Sequence, residues 1–209
     1  MAITKETIRA ARRHLRKIDP VMRAMIDEVG PFTLRPHRDR FAMLVRSIIS
    51  QQISVSAART IRSRLEQLVA PAKVTPASIL RYDVDQIRGV GVSRQKATYI
   101  LNLAEKTHDD TIPLRTMGRL ADEDVIGQLT QVKGIGRWTA HMFLIFALGR
   151  LDVFPYDDLG VKVAIRDRYG LAEIPDKPTS LRIAQRWHPY ASMASWYCWR
   201  IIDLGRRQK

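Results

Sequence analysis

Between Leu129 and Lys162 the chain reads LTQVKGIGRWTAHMFLIFALGRLDVFPYDDLGVK, and this stretch limits what the protein can fold into more than any other. Gly134 and Gly136 stand one residue apart, directly before a helix-length apolar run. Glycines so placed suit a tight turn whose bare backbone amides face outward at the start of a helix, and such amides hold phosphate. The run from Trp138 to Leu148 is apolar on every side, which predicts a central buried helix ended by Gly149. Tyr156, Asp157 and Asp158 follow it. Carboxylates next to a phosphate site oppose simple electrostatic binding of a polyanion, so they call for a chemical role. Taken alone, the double-glycine turn also fits an ordinary helix stop with Gly134 at the C′ position. A dinucleotide-binding loop would need a preceding strand and a third glycine, whereas here a helix precedes and Thr139 follows.

The rest of the chain reads as helices separated by capping and breaking signals. Thr4 caps a first helix with the apolar stripe Ile8, Ala11, Leu15 and Ile18; its other faces carry Arg9, Arg12, Arg13, Arg16 and Lys17 and read as solvated. Asp19-Pro20 reads as N-cap and N1 of a second helix ending at Gly30. After a loop from Pro31 to Asp39, Phe41, Leu44, Val45, Ile48 and Ile49 keep helical spacing up to Ser50-Gln51-Gln52. Ser54 caps the next helix, so Gln51 to Ile53 form a corner between two helices. Thr75-Pro76 and Asp83 open two short helices, and Ser93 caps another. The Gly89-Val90-Gly91 turn before that helix echoes Gly134-Ile135-Gly136, which suggests two copies of one helix, hairpin, helix unit. Further helices are expected from Asp122, from Leu159 to Tyr169 with a stop at Gly170, from Leu181 to Trp187, and from Ala191 to Leu204. Short runs such as Leu151 to Phe154 lack partners of matching length, so the fold class is all-α.

Lysine and arginine total 35 against 21 acidic residues, a net charge of +14 that points to a polyanionic partner, nucleic acid first. Charge by itself fits a ribosomal or ribonucleoprotein role equally well. Cys198 is the only cysteine, which excludes a disulfide framework, a cysteine-built zinc site and a four-cysteine iron-sulfur cluster. The five histidines show no metal-ligand spacing. No charged-then-apolar leader opens the chain and no apolar run is long enough to span a bilayer, so a soluble, intracellular protein without a membrane role is expected.

The line Leu129, Val132, Gly134, Ile135, Gly136, Thr139, Ala140, followed by Asp158, resembles the helix-hairpin-helix, Gly/Pro-rich loop and aspartate signature of the base-excision DNA glycosylases. The stretches Leu44 to Ala58 (LVRSIISQQISVSAA) and Trp187 to Trp199 (WHPYASMASWYCW) extend the resemblance to the 3-methyladenine DNA glycosylase II branch. It implies two helical subdomains, one of about residues 40–150 carrying the hairpin at 129–140, the other of about 1–39 plus 151–209. It also implies a monomer acting on duplex DNA that carries alkylated bases, with the damaged base flipped out of the helix. Bifunctional relatives carry a catalytic lysine two residues after the second hairpin glycine, where this chain has Trp138, so a monofunctional enzyme is expected. A lyase using Lys133 or Lys162, and a non-enzymatic DNA-binding module, stay open as alternatives.

By the same resemblance, Asp158 is the catalytic carboxylate and Asp157 is left for capping or loop support, although either could cap the helix from Leu159. Val132, Lys133, Gly134, Ile135, Gly136, Arg137 and Thr139 form the hairpin that holds the DNA backbone. The carbonyls of Thr130, Val132 and Ile135 are placed to hold an optional sodium or potassium ion, with no other cofactor required. Trp138 and Trp199, with Tyr156 and Trp196, are the candidate aromatics of the base pocket, Tyr156 and Trp196 being equally readable as core or wall. At the corner, Gln52 occupies the slot of the wedge that fills the gap left by a flipped base, flanked by Gln51 and Ile53.

Overall fold

The computed structural model describes residues 3–207, and all regular structure among them is helical, in accord with the periodicity. The chain divides into two compact units, Met1–Pro36 with Leu144–Lys209, and His37–Phe143. Among the described residues, no helix is long and apolar enough to cross a membrane.

The first unit opens with α1 (Lys5–Ile18) and α2 (Pro20–Val29). Thr4 caps α1 by accepting the Thr7 amide at 3.1 Å, and the Thr7 hydroxyl accepts the Thr4 amide in return. Ala11 and Leu15 of α1 and Met22, Met25 and Ile26 of α2 are buried.

In the second unit, α3 (Arg40–Ser50) and α4 (Val55–Val69) are capped by Asp39 and Ser54. They are followed by α5 (Pro76–Ile79), α6 (Val84–Gly89) and α7 (Arg94–His108). Then come α8 (Asp122–Leu129) and α9 (Arg137–Phe146), whose last residues, from Leu144, belong to the first unit. Leu44, Ile48, Leu65, Ile79, Ile87, Ile100, Val125 and Phe143 supply its core. The central helix expected over Trp138 to Leu148 begins one residue earlier and stops at Phe146. Gly149 sits past its end at φ +67°, and the Arg150 amide folds back onto the Leu144 carbonyl at 3.0 Å. The glycine therefore closes the exit loop after the helical ladder has already ended.

The first unit resumes with α10 (Leu159–Tyr169), α11 (Lys177–Ala184) and α12 (Ala191–Arg207). The helix expected from Leu181 starts four residues sooner, at Lys177, because Asp176 accepts the Thr179 amide at 2.9 Å and Pro178 lies in the first turn. A proline there costs nothing, since the first-turn amides have no helical acceptor, so it opens this helix instead of breaking it.

A buried polar knot fastens α10. Asp19 is fully buried; one carboxylate oxygen caps α2 through the Val21 and Met22 amides, and the other accepts the Tyr169 hydroxyl at 2.6 Å and the Trp187 indole N–H at 3.2 Å. A carboxylate can be buried when donors surround it in this way. Burial and the facing Asp19 carboxylate push the Tyr169 phenol well above its ordinary pKa, so it stays a donor. The C-terminal end of α10 is thereby fixed to α2, and its N-terminal end is the Asp158 cap.

Candidate functional site

The second unit carries two helix, turn, helix elements, α6 to α7 and α8 to α9, with Gly91 at φ +107° and Gly134 at φ +83° in equivalent turn positions. They differ at the residue that starts the second helix. In the first, Ser93 is the N-cap of α7 and its hydroxyl accepts the Lys96 amide at 3.2 Å. In the second, the Gly136 carbonyl accepts the Ala140 amide at 3.0 Å, so Gly136 stands at the head of α9 and brings no side chain of its own to that position. The serine caps its own helix, whereas the glycine can offer no side-chain cap and lets another chain or ligand approach the backbone closely.

The Gly134 hairpin is held from several sides. Val132 and Ile135 are buried at 1% and 4% exposure, pinning the turn to its unit, and the Ile135 amide closes on the Val132 carbonyl at 3.0 Å. Thr139, one turn into α9, is also buried. From α7, the Asn102 side chain accepts the Lys133 amide at 3.2 Å, and the Tyr99 ring lies against Gly134 so closely that a Cβ there would fall 2.0 Å from Tyr99 Cδ2. A left-handed φ and this close ring together require glycine at 134. Sequence reasoning misses Tyr99 and Asn102 because their outward face of α7 reads as solvated surface, with only the three-residue spacing as a hint.

Two of the expected residues also have partners within their unit. Gln51, grouped with the wedge, donates from Nε2 to the Gly134 carbonyl at 2.9 Å, so it braces the hairpin from the α3–α4 corner. Arg137, expected on DNA phosphate, forks onto Glu123 at 2.8 and 2.7 Å and ties the start of α9 to α8. That guanidinium holds the Glu123 carboxyl below the usual range. At the corner, Lys96 donates to the Ile49 carbonyl at 2.8 Å and to that of Gln51. Gln52, the next residue, is exposed and takes φ +55°, uncommon for a residue with a side chain, while Ile53 is 37% and Val55 84% exposed. The corner thus presents a strained polar tip flanked by uncovered apolar groups. Trp138, on α9 of the same unit, is 40% exposed, so its ring is not a core ring.

The first unit carries the carboxylate. Pro155 and Asp158 close a turn, amide to carbonyl at 2.9 Å, which places Asp158 itself, not Asp157, as the N-cap of α10. Asp157 is exposed, so the capping role read for it passes to its neighbour. Asp158 is only 7% exposed. Its Oδ1 accepts the Val161 amide at 2.8 Å and the Trp199 indole N–H of α12, also at 2.8 Å, so two donors fix the orientation of the group. The Trp199 ring stacks on Phe146, centroids 5.4 Å apart and planes 29° from parallel. Gly160 makes room for this arrangement: a Cβ there would lie 3.2 Å from Asp158 Oδ1 and 3.3 Å from Trp199 Cδ1. Phe146 and Gly160 carry no signal in the sequence beyond belonging to an apolar run and a helix start.

The other two aromatics of this unit part ways. The Lys177 ammonium lies 4.0 Å from the ring centre of Tyr156, close enough for a cation–π contact. Trp196, read as a candidate pocket residue, is 7% exposed and meets Phe32 and Tyr197 edge to face at 4.8 and 5.0 Å, which makes it a core residue. Cys198 is fully buried, and burial pushes its thiol pKa well up, as suits an inert core group.

Comparison with known proteins agrees with these features. Residues 45–189 match the family described as HhH-GPD superfamily base excision DNA repair protein. The DNA-3-methyladenine glycosylase 1 of Schizosaccharomyces pombe is 34% identical over 202 residues, covering 93% of this chain and 88% of that protein. The alkylbase DNA glycosidase-like protein mag2 of the same yeast is 31% identical over 202 residues, 94% and 95% of the two chains. A solved structure of the S. pombe 3-methyladenine DNA glycosylase Mag1 with abasic DNA superposes with a TM-score of 0.82, covering 91% of this chain and 95% of that one.

Proposed function

Since the chain belongs to the HhH-GPD superfamily of base excision DNA repair proteins, we propose that it is a monofunctional, monomeric DNA glycosylase that hydrolyses 3-methyladenine and related alkylated purines out of duplex DNA, leaving an abasic site. The observation that carries this reading is the buried Asp158 carboxylate, oriented by two donors on one oxygen, in a chain that also carries the double-glycine hairpin. Breaking an N-glycosidic bond leaves an oxocarbenium-like sugar. A fixed carboxylate stabilises that charge without reorganising and helps place the attacking water. An alkylated purine such as 3-methyladenine is cationic and already a good leaving group, so its site needs an electron-rich aromatic face more than a strong acid. Trp138 and Trp199 are assigned that face and Tyr156 its edge. Gly134 and Gly136 take the phosphate, and Gln52 is the wedge, its exposed left-handed corner being the support for that role. The carbonyls of Thr130, Val132 and Ile135 come from one short turn, a donor set suited to a weakly held sodium or potassium ion, which would add positive charge where the backbone binds.

Base release from duplexes carrying 3-methyladenine, 7-methylguanine, hypoxanthine or ethenoadenine tests the proposal. We expect free 3-methyladenine, intact abasic strands, and no covalent adduct after borohydride. Borohydride-trapped protein would indicate a lyase using a lysine such as Lys133 or Lys162. Binding without release at any enzyme concentration would reduce the chain to a DNA-binding module.

Trp199 has two duties in this reading, and one substitution separates them. Trp199→Phe keeps a ring to stack on Phe146 and removes the N–H that holds Asp158 Oδ1. A hydrogen bond to a charged group contributes about 1.5 to 3 kcal/mol, so single-turnover excision should fall by about tenfold or more. Duplex affinity should stay within about twofold, since backbone contacts dominate it. An unchanged rate would show that the indole N–H does not position the carboxylate.

A further inference from the structure

The first helix holds a feature that the excision chemistry does not use. Its cationic faces, readable from the sequence as solvated surface, converge with Arg23 of α2 on a concavity of about 530 Å³ lined by Arg9, Arg12, Arg13, Arg16, Lys17 and Arg23. Asp27 pairs with Arg16 and Glu28 is drawn away to Arg168, at 2.6 and 2.9 Å, so one ion pair sits among six cations. Arg23 is locked in place by its Nε donating to the Arg16 carbonyl at 2.8 Å. Like charges gathered in a hollow repel one another, and the arrangement is relieved by a bound polyanion. The spacing suggests its shape. Arg9, Arg13 and Lys17 lie one above another along α1 at steps of about 6 Å, an extended row of cations that suits an extended polyanion such as the closely spaced phosphates of duplex DNA. A compact anion would leave most of the row unused. An anionic membrane would also need exposed apolar groups beside the charges, whereas Ala11 and Leu15 of α1 are fully buried.

We propose that this α1–α2 basin is a second binding site for the phosphate backbone of duplex DNA, made by the first unit independently of the hairpin in the second. It rests on the reading of the chain as a DNA glycosylase only in taking duplex DNA as the source of the phosphates. The test is the triple variant Arg9→Gln, Arg13→Gln, Lys17→Gln in the full chain, binding an undamaged duplex across a salt series. Each lost phosphate contact lowers the slope of log K against log salt by about 0.9, so the slope should fall by about 2 to 3. The matching variant with lysine at positions 9 and 13 should keep the wild-type slope, which guards against a folding artefact. Single-turnover excision at saturating enzyme should be unchanged. A triple-variant slope equal to wild type overturns the proposal, as does loss of binding to phosphatidylserine vesicles with the DNA slope intact, which would assign the basin to a membrane. Absence of base release by the wild-type protein would sink the glycosylase reading while leaving the slope measurement valid.

Discussion

Asp158→Asn is expected to leave the fold and duplex binding intact while cutting single-turnover excision of a neutral base by about 10² to 10³, the loss typical when one pre-positioned charge-stabilising group is removed. The geometry at Oδ1 favours this substitution as a test. The hydrogen bonds from the Val161 amide and the Trp199 indole both arrive at Oδ1 of the carboxylate. An asparagine amide oxygen in that place accepts both, so α10 keeps its cap and Trp199 keeps its partner. The substitution removes the negative charge assigned to stabilising the oxocarbenium. The deficit should be smaller for 3-methyladenine, which leaves readily as a cation, than for a neutral base such as hypoxanthine. Asp157→Asn serves as the control, because Asp157 is exposed and does not cap α10. If that control abolished excision and Asp158→Asn did not, the catalytic carboxylate would be the wrong member of the pair.

The helices were legible because their signals are local. Thr4, Asp19, Ser54 and Ser93 each cap a helix from within three or four residues, and Gly30 and Gly170 end one. Where local chemistry is ambiguous, reading fails by a few residues. Pro178 reads as punctuation but opens α11, and either aspartate of the pair could cap α10 until the Pro155 turn chooses Asp158.

The site was legible only in outline, since its decisive contacts join distant residues. Gln51 reaches Gly134 across 83 positions and Trp199 reaches Asp158 across 41. No periodicity predicts such pairs. Trp196 and Trp199 lie three residues apart on α12, so helical phase alone sends both to one side, yet one packs on Phe32 and the other on Phe146. The partner ring decides between core and site, and it is not in the local sequence. The basin on α1 has the same origin: its row of cations is visible in the chain, but its closure by Arg23 is tertiary.

The two hairpin glycines, equal in the sequence, should lose duplex affinity for different reasons when substituted, one through strain and one without it. Gly134→Val would have to place a branched side chain at φ +83°, where its Cβ would lie 2.0 and 2.5 Å from Tyr99 Cδ2 and Cε2. Left-handed backbone costs a non-glycine residue roughly 1 to 2 kcal/mol, and the overlap with the ring adds to that, so the turn must shift. A displaced turn loses the Gln51 bond to the Gly134 carbonyl and re-aims the amides at the head of α9. Affinity should therefore fall by about two orders of magnitude for damaged and undamaged duplex alike, because backbone contacts carry no information about the base. Adding Tyr99→Ala should recover part of the loss by removing the overlap while the strained φ remains. A Cβ added at Gly136 would meet no atom within 4 Å, and the residue does not adopt a left-handed φ, so Gly136→Ser should fold normally. Its hydroxyl would cap α9 as Ser93 caps α7, stabilising the helix while competing with phosphate for the same amides. Thermal melting should then hold or rise as duplex affinity drops, a combination that simple unfolding cannot produce. If Gly136→Ser bound DNA as tightly as wild type, the start of α9 would not be the phosphate site.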